Sequence, residues 1–326
     1  MRYILVFLCG INIALAGEAP RKKLNDGNTI PVVALGTGRG TAHDKPVDEV
    51  RDAVFWAIED GYRHIDTAVL YNDEVQVGQG LADAVRQGLV SRDQMFITTK
   101  LPSDRHARSQ VVTTLRESLN RLKMNYVDLF LIHFPFSTKN DGSPDNIDYL
   151  ETWRGMEDAR ELGLTKSIGI SNFNASQVDR LLANCKVKPV VNQIEVHPAM
   201  TAEPLVSHCQ SRGIAVMAYS PFGFLVTRTR HNSTTPPPKI DDPVLVKIAQ
   251  KYGKTTGQIV LRYSLDRDLI PVPKSTNKAR IAENIDLFDF KLTDDEVATI
   301  SRFNQDHSVF DFSIWKENIH FPYNKA

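Results

Sequence analysis

Apolar residues along the chain follow two alternating periods. Short runs rich in β-branched and aromatic residues occur at 62–68 (YRHIDTA), 95–101 (MFITTKL), 126–134 (YVDLFLIHF), 167–173 (SIGISNF), 189–196 (PVVNQIEV), 214–220 (IAVMAYS), 269–275 (LIPVPKS) and, more weakly, 285–290 (IDLFDF). Between them apolar positions recur at helical spacing, as in Val50, Val54, Ala57 and Ile58 ahead of Gly61, and Leu115, Leu119 and Leu122 ahead of the third run. The first pattern predicts strands and the second predicts helices with one buried face. Eight strands alternating with helices is the count of an α/β (β/α)8 TIM barrel; a doubly wound sheet is the alternative architecture. Residues 24–36 read as an N-terminal β-hairpin, with Asp26-Gly27 as its turn and Ile30, Val32 and Val33 as strand formers. Two stretches break the repeat. Residues 222–241 form a long loop after strand six, and 293–326 hold one helix at 293–303 and an aromatic C-terminal tail with Phe310, Phe312, Trp315, Phe321 and Tyr323. Long loops on a barrel usually serve its site. Phe310 and Trp315 are candidates for lining it, with ordinary packing on the barrel as the alternative.

The N-terminus is read as an address. Met1-Arg2 precedes a nearly unbroken apolar run over residues 4–15, and Ala14-Leu15-Ala16 has the small-x-small pattern of a cleavage site, so 1–16 is expected to be a secretory signal peptide. The run is shorter than the roughly 20 residues needed to cross a bilayer, so no membrane anchor is expected after cleavage. Residues 17–326 would then be a single secreted barrel domain, in haemolymph or a secretory-pathway lumen. Of the 3 cysteines, Cys185 and Cys209 remain in that mature chain. Whether they pair is open. Asn174-Ala175-Ser176 and Asn232-Ser233-Thr234 are glycosylation sequons, the second in more loop-like surroundings.

Charge narrows the partners. With 39 basic and 39 acidic side chains the formal net charge is zero, which supplies no field for nucleic acid or anionic lipid and favours a small-molecule partner. No HExxH or paired CxxC occurs among the motifs, so no metal is expected. Gly36-Thr37-Gly38-Arg39-Gly40 follows a hairpin and lacks the spacing of a dinucleotide fingerprint. A barrel glycosidase needs two facing carboxylates, yet the strand ends carry Ser171-Asn172 and Lys274, and Glu195 lacks an evident partner.

Barrel chemistry sits at the C-terminal ends of strands. There the chain places Asp66, followed by Tyr71, then Lys100, then His133. Each alone has an ordinary reading as a cap, a rim aromatic, a snorkelling lysine or a core histidine. Together they set an acid, a phenol, an amine and an imidazole around one mouth. An adjacent ammonium lowers the pKa of a phenol, Asp66 would hold Lys100 charged and aimed, and His133 would hydrogen-bond a substrate oxygen. A proton donor without a nucleophile suggests that a bound cofactor supplies hydride.

GYRHIDTAVLYNDE, FITTKL, LIHFP, SIGISNF, NQIEVHP, AYSP and VPKSTNKARIAENI occur in the order and spacing of the aldo-keto reductase superfamily, which the chain resembles over about residues 22–320. The resemblance implies a barrel that binds NADP(H) in extended form and a tetrad of Tyr71, Lys100, His133 and Asp66. It implies cofactor contacts from Gly36, Thr37 and Asp66 near the first loops, and from Ser171, Asn172 and Gln193 at the nicotinamide carboxamide. Tyr219 would stack on the nicotinamide, with Ser220 and Phe222 along the pyrophosphate. Lys274, Ser275 and Arg280 would grip the 2′-phosphate, with Asn277 nearby and Glu283 and Asn284 toward adenine. Two cations at a phosphate favour NADP(H) over NAD(H).

Two positions depart from many relatives. Gly38 stands where an aromatic is common, and Phe134 where many have tryptophan, which favours a bulky apolar carbonyl compound over a small sugar. His133, where relatives that reduce a steroid carbon–carbon double bond have glutamate, implies carbonyl reduction. Within the superfamily GNTIPVVALGTGRGTA, DNIDYLETWRGM, HCQSRGIAVMAYSPFGF and IPVPKSTNKARIAENIDLFDF look most like insect, particularly moth, 3-dehydroecdysone 3β-reductases. The implied reaction is NADPH-dependent reduction of the 3-keto group of 3-dehydroecdysone to the 3β-alcohol, ecdysone, with Tyr71 as proton donor. An ecdysteroid partner and a monomer are the accompanying expectations. The alternatives are a generalist aldehyde or xylose-type reductase and a nucleotide-bound, non-catalytic regulatory or carrier subunit.

Overall fold

The computed structural model describes residues 19–38, 48–226 and 236–323. The expected signal peptide and the Asn232 sequon lie outside the described residues. Strand β1 (Arg21–Lys23) and β2 (Thr29–Pro31) form an antiparallel hairpin around Asp26-Gly27, so the hairpin begins three residues earlier and ends five residues earlier than the 24–36 expected from pattern. After it come β3 (Leu35–Gly36), β4 (His64–Asp66), β5 (Phe96–Leu101), β6 (Val127–Ile132), β7 (Thr165–Ser171), β8 (Val191–Glu195), β9 (Ala215–Tyr219) and β10 (Ile270–Val272), all parallel in one eight-stranded sheet in chain order. Helices α1 (Asp48–Glu59), α2 (Glu74–Arg86), α3 (Arg108–Leu122), α4 (Tyr149–Glu161), α5 (Ala175–Leu182) and α6 (Glu203–Gln210) alternate with the strands up to β9. Helices α7 (Pro243–Tyr252) and α8 (Thr256–Asp266) precede β10, and α9 (Lys278–Ile285) and α10 (Asp294–Ser301) come after it.

Eight strands are present in the sheet, but one is not where the pattern put it. Residues 285–290 form no strand: helix α9 runs to Ile285. The eighth strand is Leu35–Gly36, which pairs with β4 on one side. On the other side Gly36 bridges Lys274 in parallel, and the Gly36 amide donates to Pro273 O at 2.9 Å, closing the barrel. Closure leaves no sheet edge for 285–290. A Cβ on Gly36 would lie 3.0 Å from the Val272 Cγ1, so the seam is close to full contact.

Period-two alternation sorts the strand side chains into two layers. Phe96, Leu129, Leu131, Val191, Met217 and Val272 pack inside the barrel, where Leu24 and Ile30 of the hairpin plug its floor. Ile65, Ile97, Phe130, Ile132, Ile170, Ile194, Val216 and Ala218 face the helices, meeting Val54, Ala57, Leu115 and Leu119 as the helical spacing predicts. Counting on from the inner set by twos reaches Lys100, His133, Gln193, Tyr219 and Lys274 at the mouth. Each of these side chains is therefore placed by the same alternation that fills the core below it.

Candidate active site

Tyr71 is carried by a single 3-10 turn, Val69–Tyr71, immediately after β4. The turn is held from below, because Thr67 Oγ1 donates to Asp73 Oδ1 at 2.6 Å. Lys100 is fully buried and its Nζ lies 2.6 Å from Asp66 Oδ1, 3.1 Å from Thr67 O and 3.1 Å from the Tyr71 hydroxyl. Gln193 Nε2 donates to the other Asp66 oxygen at 2.7 Å, so both carboxylate oxygens are used. The His133 ring stands edge-on to Tyr71, with centroids 5.7 Å apart at 82°. Its Nδ1 is buried without a hydrogen-bond partner among the described residues. Three strand ends far apart in sequence thus deliver the four groups to one point.

The electrostatics follow from burial. Desolvation pushes the Lys100 ammonium down, but Asp66 and Tyr71 more than reverse it and hold it above its ordinary value. Burial, aided by the charge of Lys100, holds His133 well below the usual imidazole range, so it is neutral at physiological pH. For Tyr71 the balance differs from the one expected from sequence. Burial raises the phenol and Asp66 adds to this; Lys100 opposes both without overcoming them, and the group titrates above its usual value of 10.0. The ammonium moderates a shift set mainly by desolvation. This keeps Tyr71 protonated and able to donate at neutral pH.

Beside this cluster, Ser171 Oγ donates to Gln193 O at 2.8 Å, and Asn172 adopts a left-handed backbone (φ 63°) that turns its amide inward. All four hydrogen-bonding valences of that amide are filled. Nδ2 donates to His133 O at 2.9 Å and to Ser171 Oγ at 3.2 Å, while Oδ1 accepts from the Tyr219 hydroxyl at 2.8 Å and the Tyr323 hydroxyl at 3.0 Å. Burial raises the Tyr219 phenol well above its ordinary range.

The remaining positions line the closure seam and the end of the barrel beyond it. Thr37 is buried with its amide on Asp66 O at 3.0 Å, and Gly36 touches Lys274 through their bridge. Ser220 takes a left-handed φ of 51° leading to half-buried Phe222. Ser275 Oγ accepts the Asn277 amide at 3.1 Å, and Asn277 caps α9 by accepting the Arg280 amide at 3.0 Å. Lys274 and Arg280 are exposed at this helix start, where the peptide dipoles also favour an anion. Glu283 is tied to Thr255 at 2.6 Å, and Asn284 is buried. Polar groups at Ser171 and Gln193, joined by Asn172 where the tail residue Tyr323 gives up its bond, and cations at Lys274 and Arg280 fit a carboxamide at one end and a phosphate at the other.

An aromatic wall covers the mouth. Phe134 stacks on His133 at 5.1 Å and meets Phe136, Phe312 and Trp315 at 5.1, 5.4 and 5.7 Å. Phe310 stands edge-on to Tyr219 at 5.8 Å, and Phe312 stacks on Tyr323 at 5.2 Å and 9°. The wall thus includes Phe310 and Trp315, the two lining candidates of the tail, and adds Phe312 and Tyr323, which sequence reasoning places in the aromatic tail without a lining role, and Phe136, which it does not name. Their only sequence signal is the density of rings in 310–323 and in Phe134-Pro135-Phe136. A Cβ on Gly38 would approach the Tyr71 ring to 3.1 Å, so Gly38 borders the phenol itself. Cys185 and Cys209 are free thiols. Asn174 caps α5 and donates to Pro322 O at 2.9 Å, joining the tail to the loop after β7.

Comparison with known proteins agrees with this geometry. Residues 32–305 match the model of the aldo/keto reductase family. A Bombyx mori aldo-keto reductase, AKR2E4, is 63% identical over 94% of this chain and 100% of its own length. Its crystal structure in complex with NADP superposes with a TM-score of 0.92 at 64% identity, covering 94% of this chain and 99% of that one. The aldo-keto reductase AKR2E5 complexed with NADPH gives a TM-score of 0.91 at 42% identity, with 94% of each chain covered. Dihydrodiol dehydrogenase 3 of Bos taurus is 40% identical over 88% of this chain and 92% of its own.

Proposed function

The chain belongs to the aldo-keto reductase family and is an NADP-dependent oxidoreductase, and we propose that within this chemistry it reduces the 3-keto group of 3-dehydroecdysone to the 3β-alcohol. The observation that carries carbonyl reduction is the buried Lys100 ammonium held between Asp66 Oδ1 at 2.6 Å and the Tyr71 hydroxyl at 3.1 Å, beside a neutral His133. NADPH, held by the residues named below, would supply the hydride. As negative charge grows on the carbonyl oxygen, Tyr71 donates its proton to it, and Lys100 stabilises the phenolate left behind. Asp66 keeps the ammonium charged and aimed. His133, uncharged, offers a ring N–H to the same oxygen and so positions the carbonyl without adding a competing acid.

In this reading Ser171, Asn172 and Gln193 hold the carboxamide, Tyr219 faces the nicotinamide ring, and Lys274 and Arg280 bind the 2′-phosphate. Support for a large, flat, apolar ketone comes from the wall of Phe134, Phe310, Phe312 and Trp315, which meets the site at His133 and Tyr219. We further propose that the mature enzyme starts at residue 17 and is secreted, on the basis of the apolar run at 4–15 and the Ala14-Leu15-Ala16 pattern, and that it acts as a monomer, as the family resemblance implies.

The test is NADPH consumption by purified protein with 3-dehydroecdysone and with a small aromatic aldehyde, chromatographic identification of the alcohol, and a Tyr71→Phe control. Efficient 3β-alcohol formation that the variant loses is the expected result. Turnover of the aldehyde alone would replace the hormone assignment with a generalist reductase. Turnover of neither would favour a nucleotide-binding subunit.

A further inference from the structure

Glu195 ends strand β8 on the inner face, 8% exposed, and it takes no part in the cluster around Tyr71. Its carboxylate is nevertheless fully engaged. Oε2 accepts the Ser308 hydroxyl at 2.6 Å, and Oε1 accepts the Val309 amide at 2.6 Å and His197 Nε2 at 2.9 Å. His197 Nδ1 is buried without a hydrogen-bond partner among the described residues, packed where a Cβ on Gly223 would come within 2.5 Å, so the ring proton belongs on Nε2 and points at the carboxylate. Two of the three donors therefore come from the C-terminal segment. A carboxylate in so enclosed a position is costly unless its donors stay in place, and bonds to a charged acceptor are about twice as strong as neutral ones. The grip on Ser308 and Val309 is correspondingly firm.

The aromatic wall begins immediately beyond that grip. Ser308 Oγ also accepts the Phe310 amide at 3.0 Å, fixing the next turn of chain. Phe310 then meets Tyr219 at 5.8 Å and stacks on Phe312 at 5.7 Å and 14°, and Phe312 packs on Phe134 and on Trp315. We propose that Glu195 is a positioning residue for substrate selectivity: it latches the root of the C-terminal segment so that Phe310 stays on Tyr219, and Phe312 and Trp315 stay on Phe134 beside His133, where they favour large, flat ketones. The proposal rests on the carbonyl-reductase reading. A small aldehyde, which reaches Tyr71 and His133 without the wall, gains nothing from the latch.

The experiment compares Glu195→Gln, Ser308→Ala and Ser308→Thr with the unaltered enzyme. Glutamine turns a donor toward donors and keeps one acceptor oxygen; alanine deletes the bond from the tail side and leaves the barrel intact; threonine keeps the hydroxyl. Expected for the first two is a KM for 3-dehydroecdysone raised about tenfold, with its kcat, the kcat/KM for benzaldehyde and the NADPH affinity all within about twofold. Threonine restores the KM. Backbone hydrogen exchange over residues 309–323 accelerates in the first two variants while the strands stay protected. Parallel loss on both substrates, or unchanged exchange in the tail, overturns the proposal. Absence of carbonyl turnover by the unaltered enzyme would refute the functional reading, and the exchange measurement would still decide whether the latch exists.

Discussion

Replacing Lys100 with methionine separates the proposed proton-transfer chemistry from the stability of the barrel mouth. At 3.1 Å from the Tyr71 oxygen the ammonium would stabilise a full phenolate by about 5 kcal/mol at an effective dielectric of about 20. With the proton about half transferred in the transition state, about 2.5 kcal/mol of this is realised, or roughly 70-fold in kcat. The same change strands Asp66, 3% exposed at its side chain, with Gln193 as its one remaining side-chain partner among the described residues. Breaking a buried pair from one side costs about 3–5 kcal/mol, which for a domain of this size lowers the melting temperature by roughly 5–8 °C. Tyr71→Phe leaves the Lys100–Asp66 pair intact, so it should abolish turnover with a melting temperature near that of the parent. Reduction needs the protonated phenol, so activity is present below its pKa and lost as pH rises through it. That descending limb should lie above pH 10 in the parent and move higher still in Lys100→Met. The assay is single-turnover reduction at saturating NADPH across pH, with thermal melts on the same samples. A variant that keeps kcat within about threefold of the parent, or an unmoved high-pH limb, would refute the role given to Lys100.

Three further outcomes are expected. Lys274→Met and Arg280→Met should each weaken NADPH binding by about 10–100-fold and leave NADH binding unchanged, as read by titration calorimetry; equal weakening of both would place these cations away from the 2′-phosphate. His64 and His106 are driven by burial down to about 3, so each is neutral in the folded chain while the unfolded chain takes up protons below about 6.5. Stability is thus fully present above pH 6.5 and falls as pH drops toward 3, and the fall in urea midpoint over that window should flatten in His64→Gln/His106→Phe. Asn172 Oδ1 already accepts two phenols, and Tyr323 lies on the tail whereas Tyr219 ends a barrel strand. Tyr323→Phe should therefore free an acceptor and tighten NADP binding by up to about tenfold; weaker binding would make Tyr323 part of the cofactor site instead.

The sequence alone determined the alternation of strands and helices and, through it, the site. Phe96, Leu131, Val191, Met217 and Val272 had to face one way in a period-two strand, and Lys100, His133, Gln193, Tyr219 and Lys274 continue on the same face. That parity is local, so it can be read without knowing what the strands pair with. The eighth strand could not be read this way. Leu35–Gly36 is two residues long, and it is a strand only because β4 and the Gly36–Lys274 bridge flank it; the more strand-like 285–290 has no edge left to join. Glu195 has no partner legible in sequence for the same reason, since Ser308 and Val309 lie 113 and 114 residues away on a tail without periodicity. The shift of Tyr71 likewise depended on packing: the neighbouring ammonium was visible in the motif, but the desolvation that outweighs it exists only once the barrel mouth has closed around the phenol. Local periodicity fixes which face a residue takes, whereas pairing, tail docking and burial depend on contacts between distant segments, and those only the tertiary structure decides.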